Sequence, residues 1–175
     1  MVLDEGAARK AIKQFIAANQ DFLLDSIVQQ GNDRKIKHNT VSLNTPPTGY
    51  FYIATYCTAP TLYSTHGKLK QVSSLVKAQY PTTIMLVDYV SGHAGEDELF
   101  EQAELDFLLF TDRLVNLIYE TARFTDEDTN KCFTIEKSFS TDRLITKSNR
   151  ETNWTEAEVY HAVKFCEISF TLEGC

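Results

Sequence analysis

The spacing of apolar residues along the chain predicts two amphipathic helices of different length. Between residues 8 and 30, apolar residues recur at intervals of three and four, and Gly31 follows where a helix C-terminal cap is expected. The same spacing extends from residue 96 to residue 123. At about 1.5 Å per residue this second helix is roughly 40 Å long, close to the diameter of a domain of this size, so we expect it to lie across a whole sheet.

The long helix is apolar on two sides. Leu105 and Leu109 project roughly opposite to its main apolar stripe, and a helix with two apolar sides usually has two partners. The main stripe comprises Leu99, Ala103, Phe107, Phe110, Leu114 and Leu117.

Strand patterns occupy much of the remaining chain. β-Branched and aromatic residues or alternating polarity predict strands at residues 50–57, 82–90, 132–139 and 162–173. Residues 67–79 have helical spacing at some positions, but a hairpin with the next segment favours a strand. Residues 32–49, the acidic turn 125–128 and the long polar segment 140–153 are predicted as connections. The pattern predicts one α+β domain, residues 1–175, with a mainly antiparallel sheet of four to five strands, an N-terminal helix and a long central helix packed on one face.

Composition narrows the classes of function. The 175 residues carry a formal net charge of −7, which disfavours nucleic-acid binding by the chain as a whole because phosphate contacts need basic surface. No run reaches the ~18 apolar residues of a membrane span, and the first residues lack the apolar segment of a signal peptide. We therefore expect synthesis in a reducing cytosol. The four cysteines, which are widely spaced, are predicted to be unpaired thiols: Cys57, Cys132, Cys166 and Cys175.

The densest group of polar residues lies where a predicted strand meets the long helix. Asp88, His93, Glu96 and Asp97 would have to converge to form a metal or acid–base site, yet Glu96 and Asp97 are also expected simply at the positive end of a helix dipole. No phosphate-binding glycine loop, nucleophile elbow or pair of histidines at metal-ligand spacing occurs. The sequence predicts no catalytic, cofactor or metal site; an enzyme or ligand-binding protein using this corner is the alternative.

Three segments carry a resemblance to a known family. These are the N-terminal helix, the strand TTIMLVDYV with the following helix DELFEQAELDFLLFTDRLVNLIYETARF, and the closing segment NWTEAEVYHAVKFCEISFTLEG. This layout resembles the tail-terminator and neck proteins of tailed bacteriophages. The resemblance implies a virion protein, assembled in the host cytoplasm, that forms a homo-oligomeric ring, usually a hexamer, capping the tail tube and joining it to the head–tail connector. Another neck or head-completion protein of the same particle is the neighbouring alternative.

The ring that the resemblance implies gives roles to particular residues. Leu105, Leu109 and Asp112 are predicted to contact a neighbouring subunit. The partners expected are further copies of the chain, the tail tube protein and the connector protein, with DNA passing through an acidic channel that does not retain it. The residues predicted to contact neighbouring proteins are Arg143, Lys147, Arg150 and Trp154.

Overall fold

The computed structural model describes residues 3–27, 35–39, 50–57, 60–64, 76–93, 95–152 and 158–175. Within these ranges the chain is a mixed α+β protein with a largely antiparallel sheet, as predicted. The helices are α1 (Glu5–Ala18), α2 (Gln20–Leu24) and α3 (Asp97–Glu120). The strands are β1 (Lys35–Asn39), β2 (Tyr50–Cys57), β3 (Thr61–Ser64), β4 (Val76–His93), β5 (Phe124–Asp126), β6 (Lys131–Thr152) and β7 (Glu158–Gly174).

The sheet has the order β1-β2-β4-β7-β6-β5, and β3 also pairs with β4. β1 runs parallel to β2, whereas every other pair of described strands is antiparallel. Four to five strands were predicted, and seven are described. The additional strands are short or lie at an edge, where hydrogen bonds to a neighbouring strand define them more than their own composition does: β1 lies in the predicted connection 32–49, and β5 overlaps the predicted acidic turn 125–128.

One strand, β4, contains a proline. Pro81 lies inside β4, where it is paired with Thr171 of β7. On its other side, β3 pairs with β4 up to Gln79 and β2 pairs with it from Thr82, so Pro81 falls in the gap between them. Because neither β2 nor β3 pairs with Pro81 on this side, the missing N–H of proline breaks no hydrogen bond between strands, and proline is tolerated within a central strand. The predicted strand 67–79 is thus the beginning of β4 over residues 76–79; residues 65–75 lie outside the described ranges.

The prediction of a polar loop over residues 140–153 is wrong for residues 140–152. These residues continue β6, which pairs with β7 as far as Thr152 opposite Glu158. Ser140, Thr141 and Asp142 are all exposed, so both faces of this stretch of β6 contact solvent. Alternating polarity arises only where one face of a strand is buried, and a strand exposed on both faces therefore resembles a polar loop in sequence.

The predicted N-terminal helix, residues 8–30, is present but is broken at Asn19, and it ends at Leu24, so the prediction is wrong for residues 25–27. Asp4 caps α1, since its Oδ1 accepts a hydrogen bond from the amide of Ala7 at 3.0 Å. At Asn19 the side-chain amide donates to the carbonyl of Phe15 at 2.8 Å and competes with the helical backbone, which separates α1 from α2. The chain leaves α2 through Ser26, which has a φ of 61°. Gly31, the expected cap, lies outside the described residues.

The core lies between the sheet and the two longer helices. α3 buries Ala103, Phe107, Phe110, Leu114 and Ile118, while α1 buries its alanine and isoleucine stripe. Leu99 and Leu117 of the predicted stripe are half-buried. Alternate residues of β4 and β7 supply the sheet side of the core: Ala78, Tyr80, Ile84, Leu86, Cys166, Ile168, Phe170 and Leu172.

Two of the four cysteines are bonded, contrary to the prediction. The ladder places Phe133 opposite Gly174, so that Cys132 and Cys175 become neighbours with Cα atoms 5.4 Å apart, and they form a disulfide. Their separation of 43 residues hides this proximity in the sequence. Cys57 and Cys166 are buried free thiols.

Candidate interaction surfaces

The outer side of α3 presents apolar side chains to solvent. Leu105 is 52 % exposed and Leu109 37 % exposed, on the side of the helix opposite Phe107 and Leu114, which are fully buried. Asp112 is also exposed and lies seven residues after Leu105, two turns along the same side. The structure thus places the three predicted subunit contacts on one surface, which we call the outer face of α3; their role stays a prediction.

Two aromatic residues missed in the sequence extend this surface. Tyr119, fourteen residues after Leu105, is 72 % exposed and continues the outer face toward the C-terminal end of α3. Its ring also meets the ring of Phe139 on β6, with centroids 5.7 Å apart. Phe22 on α2 is 53 % exposed and lies beneath the guanidinium of Arg113. The position of Tyr119 was readable from helical spacing, whereas the position of Phe22 depends on how α2 docks.

Arg113 holds α2 beside α3. Its Nη1 donates to the carbonyls of Phe22 and Leu23, at 3.3 and 3.4 Å, and to the carbonyl of Asp25. The guanidinium also sits 5.5 Å from the centre of the Phe22 ring. A cation at the C-terminal end of a helix complements the helix dipole and satisfies carbonyls that have no helical donor. The only basic side chain of α3 is therefore engaged with α2.

The second predicted group lies on β6. Arg143 is paired with Cys166 and Arg150 with Tyr160, while Lys147 lies in the register shift between Thr146 and Asn149. Seven residues of strand separate the first arginine from the second, a distance of roughly 23 Å. Trp154 lies outside the described residues. The structure thus puts three of the four predicted partner contacts on one strand and leaves their role a prediction.

The Asp88–Asp97 corner contains a buried ion pair. Asp88 is fully buried, and its Oδ2 lies 3.2 Å from Nζ of Lys164, which is 1 % exposed and stands opposite it on β7. His93 lies five residues farther along β4, roughly 16 Å away in an extended strand. Glu96 precedes α3, and Asp97 is exposed in its first turn. The carboxylate of Asp88 is thus committed to a cross-strand pair and is remote from His93.

Lys164 was missed although the sequence contains a signal for it. It is in phase with Cys166 and Ile168, both fully buried, so the alternation of β7 predicts that it points into the core. A lysine is rarely buried without a charged partner. Among the described residues, no group of three or more His, Cys, Asp or Glu side chains is placed to hold a metal ion.

A set of hydrogen bonds fastens α1 to the turn between β5 and β6. Burial raises the pKa of Asp126, but hydrogen bonds from Thr129, the amide of Asp128 and the side chain of Gln14 outweigh it, so the pKa lies below the usual range. A hydrogen bond from Lys131, followed by one from the amide of Ala7, lowers the pKa of Asp4. These carboxylates have structural partners throughout, and we assign them to stability.

Comparison with models of protein families and with curated proteins gives no match at the level that identifies a relative. None of the described helices is long and apolar enough to cross a membrane.

Proposed function

We propose that this chain is a structural virion protein of a tailed bacteriophage, the subunit of a tail-terminator ring that caps the tail tube and joins it to the head–tail connector. The observation that carries the proposal is the outer face of α3. Leu105, Leu109 and Tyr119 are exposed on one side of a helix whose other side is fully buried in the core. Exposed apolar surface of this kind is typical of a protein–protein contact.

Two further features support an assembly role. The long hairpin of β6 and β7 extends through residues 140–142, which are exposed on both faces of the strand, and gives a neighbouring protein an extended surface to contact. The formal charge of −7 favours passage of DNA through a ring without retention. The layout of helices and strands that resembles terminator and neck proteins provides the specific assignment.

The test is the mass of the purified protein in solution, measured by light scattering alone and after addition of candidate tail tube protein, with electron microscopy of the tube ends. A closed ring of identical subunits, formed alone or on the tube, is the expected result. A protein that stays monomeric and binds neither tube nor connector protein would refute the proposal.

Leu109→Asp should abolish ring formation without unfolding the chain, because it puts a charge on an exposed side of α3 that the assembly buries. Leu62→Asp is the matched control, since Leu62 is 49 % exposed but lies on β3, away from α3. Equal loss of assembly in both variants, or in neither, would contradict the assignment of the outer face.

The alternative is an enzyme or ligand-binding protein that uses the Asp88–Asp97 corner. The buried pair with Lys164 weighs against it, because the Asp88 carboxylate is shielded from any dissolved substrate. His93→Ala distinguishes the two functions. A ring protein should assemble normally with this substitution, whereas an enzyme using the corner should lose activity.

A further inference from the structure

The disulfide between Cys132 and Cys175 lies outside the core. Cys175 is exposed and Cys132 is half-buried. Side chains alternate along a strand, so Cys132 points to the side of the sheet opposite that of its neighbour Phe133, which is buried in the core. A dissolved thiol can therefore reach the bond while the chain is folded. Exposed disulfides are reduced more readily than buried ones.

The other two cysteines are shielded from exchange with this bond. Cys166 is fully buried, and Cys57 is 8 % exposed. Burial raises the pKa of the Cys57 thiol, and a thiol must be ionised to attack a disulfide. Because all four cysteines lie in described parts of the chain, exchange in the folded protein is confined to one pair.

The residue beside Cys132 fastens the start of α1. Lys131 forms an ion pair with Asp4, whose side chain caps the helix. The amide of Asp4 also donates a hydrogen bond of 2.8 Å to the hydroxyl of Tyr80 on β4. The Tyr80 ring packs edge-on against Phe133, with centroids 5.6 Å apart. The strand segment that the disulfide holds is thus the segment on which the first turn of α1 rests.

The contacts between β6 and β7 would keep the two thiols adjacent after reduction. Phe133 pairs with Gly174, and the amide of Cys175 donates to the carbonyl of Cys132 at 3.1 Å. Neither contact involves a sulfur atom. Closure of the bond is then an intramolecular step between groups that are already side by side, so the reduced pair can be oxidised again without refolding.

We propose that Cys132 and Cys175 form a redox latch, a disulfide that a dissolved thiol such as glutathione opens and closes in the folded protein. In the bonded state the start of β6, the end of β7 and the first turn of α1 are held together. In the reduced state these ends open locally while the core stays packed.

The two states of the latch suit different surroundings. A reducing cytosol favours the dithiol, and oxidising surroundings favour the disulfide. A virion protein meets the first during assembly and the second after release from the host. Only this correspondence rests on the proposed function; the latch itself is a property of the folded chain.

The exchange has two steps and transfers two electrons. A glutathione thiolate attacks Sγ of Cys175, the bond between the two protein sulfurs breaks, and its electron pair leaves with Sγ of Cys132, which takes a proton from water. A second thiolate attacks the glutathione sulfur of the mixed disulfide and releases the Cys175 thiolate, which is protonated in turn. Two glutathione thiols are thereby oxidised to one disulfide, and the reverse sequence closes the latch.

Thiol labelling tests whether the latch opens in the folded chain. The purified protein is equilibrated in buffers from mostly oxidised to mostly reduced glutathione, alkylated and weighed by mass spectrometry. We expect two alkylated thiols per chain at the reducing end and none at the oxidising end, with all four cysteines alkylated only in reductant and denaturant together. A bond that no native buffer reduces, or a native chain that gains four labels, would overturn the latch.

The matched control for labelling removes a different thiol. Cys57→Ala deletes a buried sulfur that is not part of the latch. It should leave the glutathione ratio at the midpoint of reduction within about twofold of the wild type, because a buried thiol takes no part in the exchange. A midpoint that moves further, in a variant that circular dichroism shows to be folded, would contradict the assignment of the exchange to one pair.

Hydrogen exchange tests the connection to α1. The amides of Ala7 and Ala8 donate to Asp4 and report on the helix start. In the reduced protein these amides, and those of residues 131–133 and 172–174, should exchange at least ~10-fold faster than in the bonded protein. The buried side of α3 should change by less than about twofold, since the core stays packed. Equal exchange in both redox states would overturn the proposal.

Two variants identify the cause of the change. Cys132→Ser/Cys175→Ser cannot form the bond, so it should exchange like the reduced wild type in every buffer. A serine variant that still responds to glutathione would overturn the latch. Lys131→Met keeps the disulfide but removes the ion pair with Asp4, so exchange at Ala7 should lose most of its dependence on the redox state. A dependence as large as in the wild type would overturn the connection through Lys131.

These measurements use the purified chain without a ring or tail tube protein. Failure of the latch would therefore leave the proposed terminator function standing. A chain that stays monomeric with tube and connector protein, yet opens and closes its disulfide as described, would uphold the latch and refute the terminator.

Discussion

Asp88 of β4 and Lys164 of β7 form an ion pair that is buried in the protein. The side chains are 0 % and 1 % exposed, and the charged atoms are 3.2 Å apart. Removal of water from both ions opposes folding, and their mutual attraction offsets that cost only while both are present. Replacing Lys164 with Met keeps the length of the side chain but leaves the carboxylate of Asp88 buried without its cation.

We expect Lys164→Met to lower the free energy of unfolding by about 3–5 kcal/mol, the usual cost of removing one partner of a buried pair. Domains are stable by only about 5–15 kcal/mol, so this loss is a large fraction of the total. At roughly 2–4 °C per kcal/mol for a chain of this length, the melting temperature should fall by about 6–20 °C.

The double variant Asp88→Val/Lys164→Met removes both charges. Its unfolding free energy should lie within about 1 kcal/mol of the wild type or exceed it, because an apolar pair replaces two desolvated ions. Urea denaturation of the wild type, both single variants and the double variant closes the thermodynamic cycle. A cost below about 1 kcal/mol for Lys164→Met, or a double variant no more stable than that single variant, would refute the account of this pair.

The remaining predictions concern the contacts that hold α1 and α2 against the rest of the fold. The pKa values of Asp4 and Asp126 are lower in the folded chain than in the unfolded one, so both carboxylates stabilise the fold above the unfolded pKa of about 4, and this contribution is lost as the pH falls through the folded values. Between pH 6 and pH 2.5 the urea midpoint of unfolding should fall less in Asp126→Asn than in the wild type. The same fall in both proteins would contradict this. Asp21→Asn, at an exposed position, is the control. Arg113→Ala should cost about 1–2 kcal/mol and speed amide exchange in residues 20–27, with partial recovery in Arg113→Lys. Unchanged exchange in α2 would show that Arg113 does not hold that helix.

The regular, one-sided elements were predictable because burial leaves a period in the sequence. The aromatic and β-branched content of residues 50–57 gives β2 at its observed bounds, and apolar spacing gives α3 within three residues at either end. The same periodicity identified the exposed Leu105 and Leu109 opposite the core stripe. The exposed apolar residues of α3 were therefore predictable from the sequence.

Short strands and a mostly polar strand were missed. β1 is an edge strand with the sequence KIKHN, which contains a single apolar residue. β3 has only four residues and directly follows Pro60. The far half of β6 is mostly polar in sequence and lacks the regular alternation that would separate it from a loop. The break at Asn19 arises from one side-chain hydrogen bond within an otherwise continuous helical pattern.

The sequence by itself determined the class of fold, the long helix with its two apolar sides and the overall acidity, because these follow from local spacing and composition. Only the tertiary structure decided which distant residues meet. Strand register brings Cys132 to Cys175 and Asp88 to Lys164, and the docking of α2 brings Phe22 to Arg113. Such contacts join residues separated by 43 to 91 positions, and no local period encodes the register that unites them.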